Sequence, residues 1–490
     1  MIGQYLPEFA EKFPHKPAVK ADGVQVTYGE FYENVKKLQY HMQKKTGTDK
    51  GRKVAIFIGN KPAFLEVFLA AASLGWMGVP VDPKWTAGEL ADILAELQPD
   101  LAVFEKEPPP GFPFPSLVYA EVMLTEKSGL HWISHDDWER DFYIGYTSGS
   151  SGRPKGYIRN HRSWLESFRV AEEVFSISRD DGFFAPGPFC HSLSLFAAVH
   201  ALHLGATVYI MESFAAEKAV DLIKKEPITL IYAVPTMIYA IVRECEKRGE
   251  QIGSLQKMIV TGAKWETEQK ERAKLFFPNV SRYEFYGASE LSFITYIDEK
   301  GFAENPKSIG RPFPGVDIRI INDKGECLPP EKTGEVYVKS GMIFTGYYNR
   351  PELTEEVFRG GYVTVGDIGF VDEKGYLTLA GRKKNMIISG GLNIYPEEVE
   401  EVLRNHPAVK EAVVLGIPDP YWGERLTAFI EWEAEEEPGS LEVHCRRELP
   451  AYKCPKEYIT VDRFPMTASG KVARNEFQKL VMEKRQAVER

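Results

Sequence analysis

Apolar positions in the first third of the chain alternate between a strand rhythm and a helix rhythm. Lys53 to Ile58 (KVAIFI) is a short, nearly continuous apolar run that predicts a buried strand, and Asn60 is placed to cap a helix opening at Pro62. Val79 to Val81 predicts another short strand. Thr86 and Glu89 then form a T-x-x-E capping box ahead of Leu90, Ile93, Leu94 and Leu97 at helical spacing, and Leu101 to Phe104 predicts the next strand. Such βαβαβ alternation predicts a parallel sheet covered by helices.

Pro108, Pro109 and Pro110, with Pro113 and Pro115, predict a loop. The rhythm resumes at Thr229 to Val234 and Lys257 to Val260. From about Asp317 it changes to short β segments with Gly-rich turns: Asp317 to Ile321, Glu335 to Lys339 and Tyr376 to Ala380. The last hundred or so residues predict a separate unit. Pro396 stands where a helix starts, Val399, Val402 and Leu403 give it an apolar face, and Val413 to Ile417 and Thr427 to Trp432 predict strands. Glu433 to Glu437 reads as a solvated loop, and Arg382-Lys383-Lys384 as an exposed charge cluster in a linker.

Composition narrows the class without naming an activity. The 490 residues are 43% hydrophobic and 27% charged, enough for two or three folding units with a sizeable core. Sixty basic against seventy acidic side chains leave a net charge of -10, which disfavours a nucleic-acid binder. The most apolar stretch, Val67 to Val81, is too short and too rich in Gly and Pro to span a membrane, and MIGQYLPEFAEKFPHK lacks the pattern of a secretory signal. Five scattered cysteines with no CxxC predict reduced thiols in a cytoplasmic protein.

Tyr146 to Gly156, YTSGSSGRPKG, carries the strongest chemical signal. It follows apolar Phe142 and Ile144 and precedes helix-compatible sequence, so it reads as a loop after a strand. Gly149 and Gly152 permit close backbone approach, Thr147, Ser148, Ser150 and Ser151 supply hydroxyls, and Lys155 supplies a positive charge. Such a loop can wrap a polyphosphate, although G-x-x-x-x-G-K-[ST] cannot be placed on it. The segment resembles the phosphate-binding signature of the adenylate-forming superfamily, which holds acyl-CoA synthetases, adenylation domains and firefly-type luciferases. Motifs similar to the family's others follow in its order, from Thr27-Tyr28-Gly29-Glu30 to Gly470-Lys471, so the resemblance covers nearly the whole chain.

The resemblance implies a role for each matching residue. Tyr286-Gly287-Ala288-Ser289-Glu290 is similar to Y-G-x-[ST]-E: Tyr286 packs on adenine, Ser289 contacts the α-phosphate, and Glu290 holds Mg²⁺ with Thr147. An aromatic face and a hard carboxylate suit those tasks. Thr261-Gly262-Ala263 resembles the backbone segment on the other adenine face, with the role of Lys264 open. Asp367, in YVTVGD, resembles the aspartate that takes both ribose hydroxyls. Arg382 also reaches the ribose, Lys384 is the hinge, and Gly390 and Gly391 line the path of a thiol. Lys471, in PMTASGKVAR, resembles the catalytic lysine that stabilises charge between an attacking carboxylate and the α-phosphate.

Pro188-Phe189-Cys190-His191 resembles the P-x-x-H segment beside the carboxylate pocket. His191 reads equally as a satisfied core histidine. No acid occurs between Asp181 and Glu212 to pair with an α-ammonium, and Phe189, Leu193, Leu195 and Phe196 point to an apolar acyl or aryl tail. The implied fold is α/β. A large N-terminal domain (1–383) carries βαβ-layered sheets and a β-rich subdomain, and a small mobile α+β C-terminal domain (384–490) carries the lysine. The implied enzyme is an ATP-dependent acyl-CoA ligase of fatty or aryl acids. A carrier-protein loading enzyme, a luciferase-like oxygenase and a nucleotide sensor are the rivals.

Overall fold

In the computed structural model, contacts divide the chain into two compact units, Met1–Asp317 with Val338–Val363 and Ile318–Tyr337 with Thr364–Arg490. All residues are described except 127–128, 148–153, 264, 391, 435–437, 467–471 and 489–490. No helix among the described residues is long and apolar enough to cross a membrane.

The first unit holds two mostly parallel sheets. In one, Pro17–Ala21, Thr207–Ile210, Gly182–Ala185, Leu230–Ala233, Lys257–Val260 and Ser281–Ala288 run parallel side by side, with antiparallel strands at each edge. In the other, Ser116–Val118, Leu101–Phe104, Lys53–Phe57, Met77–Pro80 and Asp141–Thr147 are parallel, and Lys155–Asn160 and Gly346–Tyr347 add an antiparallel edge. Buried strands on both faces explain the continuous apolar runs, such as Leu230–Ala233 and Leu101–Phe104, every residue of which is buried.

Local sequence rules place most of these elements. The capping box at Thr86 and Glu89 forms as expected, and a second one forms at Thr27 and Glu30. Pro62 opens its helix, but the preceding cap is Lys61, with no side-chain cap bond; Asn60 turns elsewhere. The segment after the phosphate-loop motif is a strand before it is a helix. Tyr157 and Arg159 alternate inward along Lys155–Asn160, so this strand forms a hairpin with Asp141–Thr147, and the helix starts only at His161.

The second unit contains a sheet built on the long antiparallel pair Val409–Asp419 and Gly423–Trp432, joined by Glu457–Thr460, Ile387–Ser389 and Leu392–Ile394. Period-two alternation sorts its side chains onto two faces. Ala412, Val414, Leu426, Ala428 and Ile430 meet Val399, Leu403, Leu441 and Cys445 on one face. Val413, Leu415, Ile417 and Phe429 meet Phe464 and Phe477 on the other. Strand Gly334–Lys339 lies at the division: Gly334 and Glu335 pair with Gly369 and Ile368 in this unit, while Val338 pairs with Val363 in the first.

One buried acid in the first unit is out of keeping with its helix. Glu66, on the otherwise apolar Pro62–Ser73, is 0% exposed and accepts from Asn34 Nδ2 at 2.9 Å and from the Tyr119 hydroxyl. Burial pushes its carboxyl up to about 7. Because the folded value lies above the unfolded one, this group's contribution is favourable at low pH and is lost as pH rises from about 4.5 through about 7. Glu66→Gln should therefore be more stable than the parent protein at pH 8 and close to it near pH 4.5. Urea unfolding at the two pH values tests this; an unchanged difference would refute it.

Candidate functional site

In the first unit the motif residues gather at the carboxyl ends of parallel strands, the end where open α/β sheets bind ligands. Gly262 and Ala263 follow Lys257–Val260, Tyr286 to Glu290 close Ser281–Ala288, Pro188 to His191 follow Gly182–Ala185, and Thr147 ends Asp141–Thr147. Thr147 pairs directly with Lys155 across the hairpin. Ser148, Gly149, Ser150, Ser151 and Gly152, between them, lie outside the described residues.

Backbone packing accounts for the glycines of two motifs. At Tyr286 and Gly287 the register with Ser292–Ile297 shifts through a bulge. A Cβ on Gly287 would stand 2.0 Å from the Ser292 carbonyl oxygen, so no other residue fits there without moving the chain. Gly262 has φ +92°, a conformation glycine adopts freely. Gly262 and Ala263 form an exposed backbone ledge after Lys257–Val260. The ledge is tied to the neighbouring strand, where Thr261 Oγ1 donates to the Phe285 carbonyl at 2.7 Å and Trp265 N–H to Glu284 Oε1 at 3.2 Å.

Ser289 and Glu290 are held from beneath by a buried cation. Arg159, 3% exposed, donates from Nη1 to the Ser289 carbonyl at 2.9 Å, from Nη2 to the Met342 carbonyl at 2.6 Å, and from Nε to Ser163 Oγ at 3.1 Å. Burial pulls its guanidinium down to about 10, against the opposing influence of Tyr157, Tyr143 and Glu290. Ser289 and Ser192 hydrogen-bond to the Tyr157 hydroxyl, which is itself 2.8 Å from that of Tyr143. The Tyr347 hydroxyl donates to Glu290 Oε1 at 2.9 Å, and Phe344 N–H to the Glu290 carbonyl at 2.7 Å. Lys155 Nζ stands 4.7 Å from the Tyr347 ring centre. Lys155, Tyr347 and Glu290, far apart in sequence, therefore adjoin, giving a cation beside hard oxygen donors, a set that suits Mg²⁺ and polyphosphate.

The Pro188 loop is fixed by a residue that linear reasoning assigned otherwise. Asn60 Nδ2 donates to the Gly187 carbonyl at 2.6 Å, and its Oδ1 accepts from Phe189 N–H at 2.8 Å. Phe189, Leu195 and Phe196 are buried in the core; Phe189 packs on Phe64, and Phe196 on Trp164, Phe168 and Phe293. An acid also stands near His191 after all. Asp82, following Met77–Pro80, brings its carboxylate within 4.8 Å of ligand atoms of Cys190 and His191. Burial, then Asp82, pushes the Cys190 thiol up to about 12, and burial lowers the basicity of His191. Nothing in the local sequence marks Asp82, because its neighbours come from another strand end.

In the second unit the two residues expected at the ribose face each other across an antiparallel pair. Arg382 Nε lies 2.9 Å from Asp367 Oδ1, and Asp367 is buried. Lys383 N–H donates to the Gly366 carbonyl and its Nζ pairs with Glu335 at 2.8 Å. Lys384 lies in the exposed 3₁₀ turn Lys383–Asn385, and Gly390 N–H donates to the Trp422 carbonyl. Gly391 and Lys471 lie outside the described residues. Met466 and Val472 pair as an isolated bridge, and Arg474 donates to the Val414 carbonyl at 2.8 Å and pairs with buried Glu400.

The AMP-binding enzyme family matches residues 6–348, and the AMP-binding enzyme C-terminal domain matches 398–471. The chain is 37% identical to the uncharacterized acyl-CoA ligase YhfT of Bacillus subtilis strain 168 over 97% of both chains. It is 31% identical to a feruloyl-CoA synthase of an Amycolatopsis species over 98% of both. Its fold matches the o-succinylbenzoate coenzyme A synthetase MenE of Bacillus subtilis in complex with ATP and magnesium ion, with a TM-score of 0.86, 26% identity, and 97% of this chain and 99% of that one covered.

Removing the Asn60 side chain leaves the Gly187 carbonyl and the Phe189 N–H without that partner. Asn60→Ala should cost about 1–3 kcal/mol of unfolding free energy, the penalty for an unmet buried polar group. Chemical denaturation measures it, and a loss below experimental error would show that the loop is held by other means.

Proposed function

The chain belongs to the AMP-binding enzyme family, and we propose that it is an ATP-dependent acyl-CoA ligase. It activates a carboxylic acid as acyl-AMP with release of pyrophosphate, then passes the acyl group to the CoA thiol with release of AMP. ATP and CoA are its co-substrates and Mg²⁺ its metal. The observation that carries this reading is the seating of Tyr286 to Glu290 at a strand end, with Glu290 held by Tyr347 beside Lys155. The curated relatives and the solved structure, named as CoA ligases or synthetases, favour CoA over a carrier-protein thiol.

Each residue takes the task its chemistry allows. Gly262, Ala263 and Tyr286 sandwich the adenine; Asp367 and Arg382 hold the ribose. The hydroxyls and N–H groups of Ser148, Gly149, Ser150, Ser151 and Gly152, with Lys155, bind phosphate oxygens, and Ser289 orients the α-phosphate. Glu290 and Thr147 offer oxygens to Mg²⁺, which neutralises phosphate charge when bound. His191 stands by the acyl carboxylate. Lys471 stabilises the charge that develops as the carboxylate attacks, and Gly390 and Gly391 leave room for the pantetheine thiol. A boundary between a large domain, 1–383, and a small one, 384–490, at the hinge Lys384 suits two half-reactions with different needs. Five free cysteines suit a cytoplasmic setting.

Measuring AMP and pyrophosphate release over a panel of fatty and aryl acids, with and without CoA, tests this function. Acid-dependent pyrophosphate release and CoA-dependent AMP release are expected; no acid-dependent release from any acid would overturn it. Lys471→Ala should slow adenylate formation by ~10²–10³-fold, the effect of removing one transition-state donor, and leave thioester formation from preformed acyl-adenylate nearly unchanged. Equal damage to both steps would remove Lys471 from this role.

A further inference from the structure

Three donors of different chemistry converge on one point of the first unit. The Asp82 carboxylate comes from the turn after Met77–Pro80, and the Cys190 thiol and His191 imidazole come from the segment leading into the helix Ser192–Leu204. Their ligand atoms all lie within 4.8 Å of one another, and the thiol is hydrogen-bonded with Asp82. The two supporting loops are independently braced. Asp82 Oδ1 accepts from Lys84 N–H at 2.9 Å, Trp85 N–H donates to the Asp82 carbonyl at 3.2 Å, and Asn60 clamps Gly187 and Phe189 just before Cys190. Asp82 and Cys190 are only half-buried, so solvent ions reach them.

We propose that Asp82, Cys190 and His191 form a binding site for a thiophilic divalent cation of the zinc type, distinct from the Mg²⁺ position at Glu290. A carboxylate oxygen, a thiolate sulfur and an imidazole nitrogen are the donor types zinc takes, and three protein ligands leave its fourth position open to water. Mg²⁺ prefers oxygen donors and its own water, so this set discriminates against it. On binding, the Cys190 S–H bond breaks, its proton leaves to solvent, and the sulfur lone pair forms the metal bond. The bound cation ties His191 to the Asp82 turn. Given the ligase reading, such a tie withdraws His191 from the acid and makes zinc an inhibitor.

Co²⁺ titration of the full chain in excess Mg²⁺, followed by absorption, tests the site. Thiolate-to-cobalt charge transfer in the near ultraviolet, with the visible bands of a four-coordinate ion, is expected. Cys190→Ser should abolish the charge transfer, Cys327→Ser, at the one exposed cysteine, should retain it, and Asp82→Asn should weaken Co²⁺ affinity at least ~10-fold. Absence of the band, or its persistence in Cys190→Ser with unchanged circular dichroism, overturns the site. Zinc should also slow acid-dependent AMP release in the parent protein and spare Cys190→Ser; equal inhibition of both overturns the inhibitory role while leaving the absorption result to decide the site.

Discussion

The buried guanidinium of Arg159 is the interaction on which the arrangement in the first unit depends. It reaches the carbonyls of Ser289 and Met342 and the Ser163 hydroxyl, so one side chain joins the end of a parallel strand, the segment before Gly346–Tyr347, and the helix that follows its own hairpin. A buried cation is expensive unless its donors are met. Tyr157, Tyr143 and Glu290 oppose the loss of basicity that burial imposes on the guanidinium. Lysine cannot reproduce this, because only the planar fork reaches separate acceptors at fixed angles.

The same geometry resolves the apparent conflict between an acidic protein and its polyanionic co-substrates. A net charge of -10 gives no long-range attraction for ATP or CoA. Attraction is local. Lys155 stands at the hairpin against the Tyr347 ring, a cation beside the motif residues at the strand ends. The acidic surface is then free to keep the molecule dispersed.

What the sequence revealed was local in origin. The Thr86–Glu89 box, the run Leu101–Phe104 and the face of Pro396–Arg404 each depend on residues within one turn or one strand, and each forms as the pattern predicts. The chemical motifs were legible because a nucleotide demands particular residue types at short spacing. Long-range pairings were hidden. Asn60 looked like a helix cap, yet its partners lie 127 and 129 positions away. Asp82 had no visible link to His191, and the ring packing of Phe189 and Phe196 with distant aromatics was equally hidden. The strand Lys155–Asn160 was hidden because one of its two neighbours, Gly346–Tyr347, lies almost two hundred positions further along the chain.

The pairing of Asp367 with Arg382 bears on turnover. A buried carboxylate with no counterion would hold a nucleotide's sugar tightly, and would be left exposed to a large desolvation cost each time the nucleotide departed. Here the countercharge, Arg382, sits on the partner strand of the same antiparallel ladder and is fixed by the fold. Under the proposed ribose role, the sugar hydroxyls would add hydrogen bonds to an ion pair that is already neutral, and departure of AMP would leave no charge stranded.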